Sequence, residues 1–288
     1  MKMLINESLL FSLNIPKRLG DIGFDLHECY VALQLSQVAY LTIEKQRKKL
    51  KKYGFNCFHS FVKENTCVFI CKKKGTLYIV IRGTDFSDRR DIVDNLNIKK
   101  VKDGSGKVHA GYKEHLDRVW KDVLKAIAGI KFKNIIVTGH SMGGGVGQII
   151  NHRLPGTKGY YFGSTRSVNS YIFKNQKSFV YHVQNEYDLV PHTPPRLFGY
   201  RLSGETFILK YGKLRARPQY LSELFYTIFY MFLFLGMFIF AKLFGVKEKL
   251  KDLVLVNHKI ADYHRNLEAY IVEETFNMLR YEKNLKKL

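Results

Sequence analysis

Acidic side chains are scarce. The 288-residue chain sets 25 Asp and Glu against 47 Lys and Arg, a formal charge of +22, with a pI near 9.7. That balance implies attraction to polyanions and leaves nucleic acid, an anionic membrane leaflet and an acidic protein all open. There are only 6 prolines, 4 cysteines and 1 tryptophan. No internal repeat or low-complexity linker interrupts the chain, so a single domain over 1–288 is expected. The cysteines are Cys29, Cys57, Cys67 and Cys71. A zinc site needs a second close pair and a histidine cluster, which are missing, and a domain this size needs no disulfide. Buried reduced thiols are expected, with no metal and no cofactor. The N-terminal apolar run is broken by Asn6, Glu7 and Ser8, and no small-residue cleavage site follows. No signal peptide is read, and a reducing, cytoplasmic-side location is expected.

Apolar material is plentiful: 46% of residues are hydrophobic and 14% aromatic, which excludes disorder as the main state. Residues 26–42 read as an early helix. A stretch with six cations in eight positions follows, Lys45 to Lys52, read as a solvated helix end or loop, with a membrane or nucleic-acid contact as the alternative. Residues 66–71 and 77–82 read as strands joined by a turn at Gly75. From Tyr112 to Ile127 the apolar residues Leu116, Val119, Trp120, Val123, Leu124 and Ile127 fall on one helical face. The apolar Ile135-Ile136-Val137 predicts a strand buried on both faces, followed by a helix near Gly143. Further strands are expected at 159–163 and 179–183. The alternation reads as an α/β fold.

The sharpest signal follows that buried strand: Gly139-His140-Ser141-Met142-Gly143. A serine on a tight strand-to-helix turn sits in strained backbone, where side chains two residues to either side collide; glycine removes the collision. The helix start then aims backbone N–H groups at a developing oxyanion. A P-loop is excluded because no Gly-Lys-Ser/Thr follows, and Gly-x-Gly-x-x-Gly is not satisfied from Gly139 onward.

These residues and several other blocks in the right order resemble the class 3 lipase family of α/β-hydrolases. Val80-Ile81-Arg82-Gly83-Thr84-Asp85 resembles the family's strand and Arg-Gly-Thr segment. Val108-His109-Ala110-Gly111-Tyr112 resembles its His-x-Gly-aromatic segment. Tyr161-Phe162-Gly163-Ser164 resembles its Phe-Gly-small stretch, with Thr165 where proline is usual. Asn185-Glu186-Tyr187-Asp188-Leu189-Val190-Pro191 resembles its Asn-x-x-Asp-x-Val-Pro block. The resemblance runs over roughly 26–270. It implies an α/β-hydrolase fold with a mostly parallel central sheet flanked by helices, and a triad of Ser141, Asp188 and His258 in the order Ser, Asp, His. His258 matches the family's terminal His-then-Tyr spacing and is preferred over His264, expected as a surface residue of the following helix, and over His192, close behind Asp188. His109 is expected to pack beside the site. The implied oxyanion donors are the N–H of Met142 and the N–H and hydroxyl of Thr84.

Leu224 to Ala241 is eighteen residues without a charge, with Lys213, Arg215 and Arg217 before it and Lys242, Lys247 and Lys249 after. As a helix at about 1.5 Å per residue it is about 27 Å long, enough for a bilayer core. A single crossing separates His258 from Ser141 and Asp188. A hairpin bending at Gly236, or an interfacial helix or lid, is therefore favoured over a spanning segment in a chain that is not a working hydrolase. A membrane-seeking insertion at 222–245 is expected. The expected function is a membrane-associated serine lipase acting on acyl lipids at an anionic membrane surface. The alternatives are a catalytically silent membrane-anchored scaffold and an acyltransferase using the same triad. Nucleic-acid binding ranks low, since no zinc-finger spacing or RNP-like motif is present.

Overall fold

Hydrophobic periodicity and turn chemistry build the described part of the chain in sequence order. The structure is a computed structural model and describes residues 23–83, 98–210, 213–216 and 258–285. Helix α1 (Leu26–Val38) is opened by Asp25, whose carboxylate accepts from the Glu28 N–H at 2.9 Å, which satisfies a backbone donor that the first turn leaves orphaned. Helix α2 (Ile43–Lys52) carries the six-cation stretch and buries only Gln46 and Leu50. The Gln46 amide is buried because it donates to the Ala39 and Leu41 carbonyls, tying α2 to the end of α1. The basic stretch is thus a solvated helix face.

The main sheet has the order β1-β2-β3-β6-β7-β9-β11-β12. Its strands are β1 (Asn56–Lys63), β2 (Thr66–Lys73), β3 (Thr76–Ile81), β6 (Asn134–His140), β7 (Lys158–Phe162), β9 (Phe179–Asn185), β11 (Glu205–Lys210) and β12 (Lys213–Ala216). Of its seven pairings, four are parallel, β3 through β11, and three are antiparallel, at the two edges. The expected mostly parallel sheet is therefore mixed. The reason is connection length: a parallel pairing needs a crossover of a dozen residues or more, whereas β1, β2 and β3 follow one another across two-residue links. At the β2–β3 hairpin, Lys74 and Gly75 take φ of 46° and 82°, the positive pair that matches the twist of the flanking strands. Between β3 and β6 lie β4 (Lys100–Asp103), β5 (Gly106–His109) and α3 (Ala110–Ala128). The strands β4 and β5 join β8 (Val168–Asn169) and β10 (Tyr200–Arg201) in a small second sheet that the sequence reading did not anticipate.

Two cores flank the main sheet. Along β2 every residue from Thr66 to Cys71 is buried, with Phe69 and Cys71 facing one core and Val68 and Ile70 the other. The first core packs α1 and α5 (Ile260–Leu285) over one face. The second packs α3 and α4 (Met142–Arg153) over the other, α3 contributing the predicted stripe of Leu116, Val119 and Val123. Cys29, Cys67 and Cys71 are buried free thiols, and burial pushes each above the ordinary thiol range.

All parallel strands end at one edge of the sheet, where loops in such folds gather ligands and chemistry. The apolar run 224–241 and the expected insertion 222–245 lie outside the described residues. The described chain resumes at His258, beside Asp188 at the strand-end edge. Among the described residues no helix is long and apolar enough to cross a membrane.

Candidate active site

The turn after β6 meets the steric requirement read from its sequence. Ser141 has φ 60° and ψ −129° and is the N-cap of α4, a left-handed position that a non-glycine residue adopts only under constraint. A Cβ at Gly139 would lie 2.6 Å from the Gly143 carbonyl carbon, and one at Gly143 would lie 2.4 Å from the Ile81 carbonyl oxygen. Both neighbours are main chain and cannot yield, so the two glycines let β6, α4 and the end of β3 converge. The Ser141 N–H donates to the Phe162 carbonyl at 3.0 Å, extending the β6–β7 ladder through the turn. Met142 is the first residue of α4, the position where a helix presents its backbone N–H groups beyond its own end.

Asp188 and His258, 70 residues apart, meet beside this turn: His258 Nδ1 lies 2.7 Å from Asp188 Oδ2. Both side chains are fully buried. Asp188 is fixed on two further sides. Its Oδ1 accepts from the Val190 N–H at 2.9 Å, and its Oδ2 accepts from the Tyr263 hydroxyl at 2.5 Å. Burial, and then the Asp188 charge, push the Tyr263 phenol well above its ordinary range, so it remains a donor. Since the carboxylate accepts at Nδ1, that nitrogen carries the proton and Nε2 is the basic one. His258 is brought to the serine turn by its neighbour: its ring stacks on that of His140, the residue before Ser141, with centroids 4.6 Å apart. Gly163 completes the cradle at the end of β7. It has φ +54°, and a Cβ there would lie 2.8 Å from Asp188 Oδ2 and 2.9 Å from His258 Cε1.

Gly83 is the last described residue before Thr84, which lies outside the described residues. A Cβ on Gly83 would lie 3.2 Å from Ser141 Cβ, so the chain runs past the serine as it enters the Thr84 segment. The other histidines stand elsewhere. His264, expected at the surface, is half-buried instead, because it faces α1, where it contacts Gln34 and stacks obliquely near Tyr30, and it pairs with Glu268. His192 sits in a single 3-10 turn, with its carbonyl accepting from Arg166 Nη1 at 2.7 Å. His109 caps α3 and stacks on Tyr112. The sequence reading assigned no role to Tyr263 or Gly163, although both fall in the blocks that carried the resemblance. Among the described residues no group of His, Cys, Asp and Glu is arranged to hold a metal ion.

A buried Asp–His pair beside a serine on a strained strand-to-helix turn, at the strand ends of such a sheet, is the arrangement of the α/β-hydrolase class. The profile of the lipase (class 3) family matches residues 78–198, and over that span the chain resembles the family. It is similar to a lipase of Rhizopus niveus, 30% identical over 172 residues, 51% of this chain and 42% of the relative. It is also similar to a protein of Malassezia globosa named as a secreted mono- and diacylglycerol lipase, 29% identical over 212 residues, 63% of this chain and 68% of the relative. The chain therefore spans about two fifths of the length of the Rhizopus relative. The crystal structure of a lipase from Rhizopus microsporus var. chinensis shares the fold, with a TM-score of 0.57 at 21% identity over 66% of this chain and 76% of that one.

These relatives correct one expectation. Location on the cytoplasmic side of a membrane rested on basic flanks and an N-terminal reading. The Malassezia relative is named as secreted, and no described helix is suited to crossing a membrane. Basic flanks attract anions on either side of a membrane and do not choose a compartment.

Proposed function

We propose that this chain is a serine carboxylic-ester hydrolase acting on acyl lipids, built as one domain with the insertion 222–245 falling between acid and base. Ser141 Oγ attacks the ester carbonyl while His258 Nε2 takes its proton. Asp188 holds the imidazole tautomer and stabilises the imidazolium. The tetrahedral oxyanion is met by the N–H of Met142 and by Thr84. As the C–O bond breaks, His258 returns the proton to the leaving alcohol and the acyl group stays on Ser141. Water, deprotonated by the same histidine, then releases the fatty acid and restores the serine.

The observation that carries this reading is the buried Asp188–His258 pair, whose histidine ring lies against the residue preceding a serine at φ 60°. The acyl-lipid substrate is supported by the family match and by the Malassezia relative's name. The test is product analysis on dispersed tri-, di- and monoacylglycerols with wild type and Ser141→Ala. Fatty acid released by wild type and absent with the variant is expected. Equal release by both removes Ser141 as nucleophile, and no release on any ester removes the hydrolase reading.

A further inference from the structure

His140 fills the variable position of the Gly-x-Ser turn, yet its side chain is fully buried and bonded at both nitrogens. Its Nε2 lies 2.7 Å from the main-chain carbonyl oxygen of His258, and its Nδ1 lies 2.9 Å from the Tyr40 hydroxyl. A carbonyl only accepts, so Nε2 carries the proton; Nδ1 of the neutral ring then accepts from the Tyr40 O–H. Burial, and then the neighbouring His258 charge, hold the His140 imidazole well below its ordinary range, so this tautomer persists. The ring lies at 29° to that of His258 and meets Tyr263 edge-on at 5.9 Å. Tyr40 reaches a third part of the site: a Cβ on Gly83 would lie 2.5 Å from its hydroxyl.

His258 is therefore held at two points. Asp188 grips the ring through Nδ1, which fixes its direction, and His140 grips the main chain, which fixes how near the ring stands to Ser141. A carboxylate bond alone lets the imidazole pivot about Nδ1, and a displacement near 1 Å costs about 100-fold in rate. We propose that His140 and Tyr40 are a positioning pair, a relay from the Tyr40 hydroxyl through the His140 ring to the His258 carbonyl that sets the distance between base and nucleophile. The proposal rests on the reading of Ser141 and His258 as nucleophile and base. Neither member touches the reacting atoms.

The test is steady-state hydrolysis of p-nitrophenyl butyrate by the full chain, with melting temperature measured in parallel. His140→Phe keeps a flat ring over His258 and loses both bonds; kcat is expected to fall about 30- to 100-fold with KM within about threefold. His140→Gln places an amide N–H near the original Nε2 and is expected to recover kcat to within about fivefold of wild type. Tyr40→Phe is expected to lose about 5- to 10-fold, and the double variant Tyr40→Phe/His140→Phe no more than His140→Phe alone, because the two act in series. A merely structural role predicts lowered melting temperatures, no recovery by Gln and additive losses, and that pattern overturns the pair. Should His140→Phe not fold, Tyr40→Phe against His140→Gln gives the same decision, since equal kcat to wild type in Tyr40→Phe overturns the relay. Wild-type turnover that persists in Ser141→Ala overturns the hydrolase reading, and the pair with it; Ser141-dependent turnover undiminished in His140→Phe overturns the pair alone.

Discussion

Gly163→Ala puts a single methyl group against the centre of the site. The added Cβ would stand 2.8 Å from Asp188 Oδ2 and 2.9 and 3.0 Å from His258 Cε1 and Nδ1, where ordinary contacts begin at 3.4 Å. The pair must retreat by about 0.5 Å, and His258 is the member that has to reach Ser141. With about 100-fold lost per ångström of misplacement, kcat is expected to fall about 10- to 100-fold. The backbone also contributes: φ at Gly163 is +54°, and an L-residue there costs roughly 1–2 kcal/mol, which lowers Tm by about 2–8 °C. Gly156→Ala separates the two effects. Gly156 has φ +82° with nothing within 4 Å of an added Cβ, so it should lose comparable stability and keep wild-type kcat. Hydrolysis of a chromogenic ester and a thermal melt on both variants decide the matter. Equal kcat in the two means that the methyl group fails to disturb the Asp188–His258 pair, and the positioning role of Gly163 falls.

Removing the Tyr263 hydroxyl, which donates to Asp188 at 2.5 Å, takes away a hydrogen bond to a charged group worth about 1.5–3 kcal/mol; Tyr263→Phe should lower Tm and reduce kcat about 10-fold, read from the same two assays. Thr84→Ala is expected to lower kcat by the equivalent of about 2.7–4 kcal/mol with little change in KM, as loss of an oxyanion donor does, and unchanged kcat removes Thr84 from the site. Burial holds the His182 imidazole at about 4, while in the unfolded chain it titrates near 6.5. Between those values the unfolded chain binds a proton that the folded one excludes, so this contribution is fully present above pH ~6.5 and is lost as pH falls toward 4, by up to about 3 kcal/mol. His182→Gln, which keeps a donor for the Ser203 carbonyl, should flatten that part of the stability profile in urea titrations at pH 7 and 4.5; an unchanged slope counts against it.

What the sequence made legible follows from which features are local. The Ser141 turn was readable because its glycines answer a clash within five residues, and the stripe on α3 because helical periodicity repeats within one element. The edge strands were not: β1 mixes Asn56, His59 and Ser60 with Phe58, Phe61 and Val62, and β12 is four residues long. The small second sheet arises from short pairings of two to four residues, whose partners are set by tertiary contact rather than by pattern. The meeting of Asp188 with His258 is a contact across 70 residues, and no spacing rule reaches that far; it was anticipated only through resemblance. The bonds of Tyr263 and His140 were invisible for the same reason, as was the face that His264 turns toward α1. Gly163 shows the limit most sharply: its letter was legible in the Phe-Gly-small block, while the crowding that excludes a Cβ appears only when Asp188 and His258 arrive from elsewhere in the chain.

In the proposed chemistry Ser141 is a nucleophile activated by His258 and Asp188. Labelling of the folded protein with a fluorophosphonate probe, followed by peptide mapping, reads that activation at the serine itself. The prediction is a single adduct on Ser141 that forms several orders of magnitude more slowly in His258→Gln. A folded wild type that takes no label or takes it at another residue excludes Ser141 as the nucleophile, and equally fast labelling in His258→Gln excludes His258 as its base.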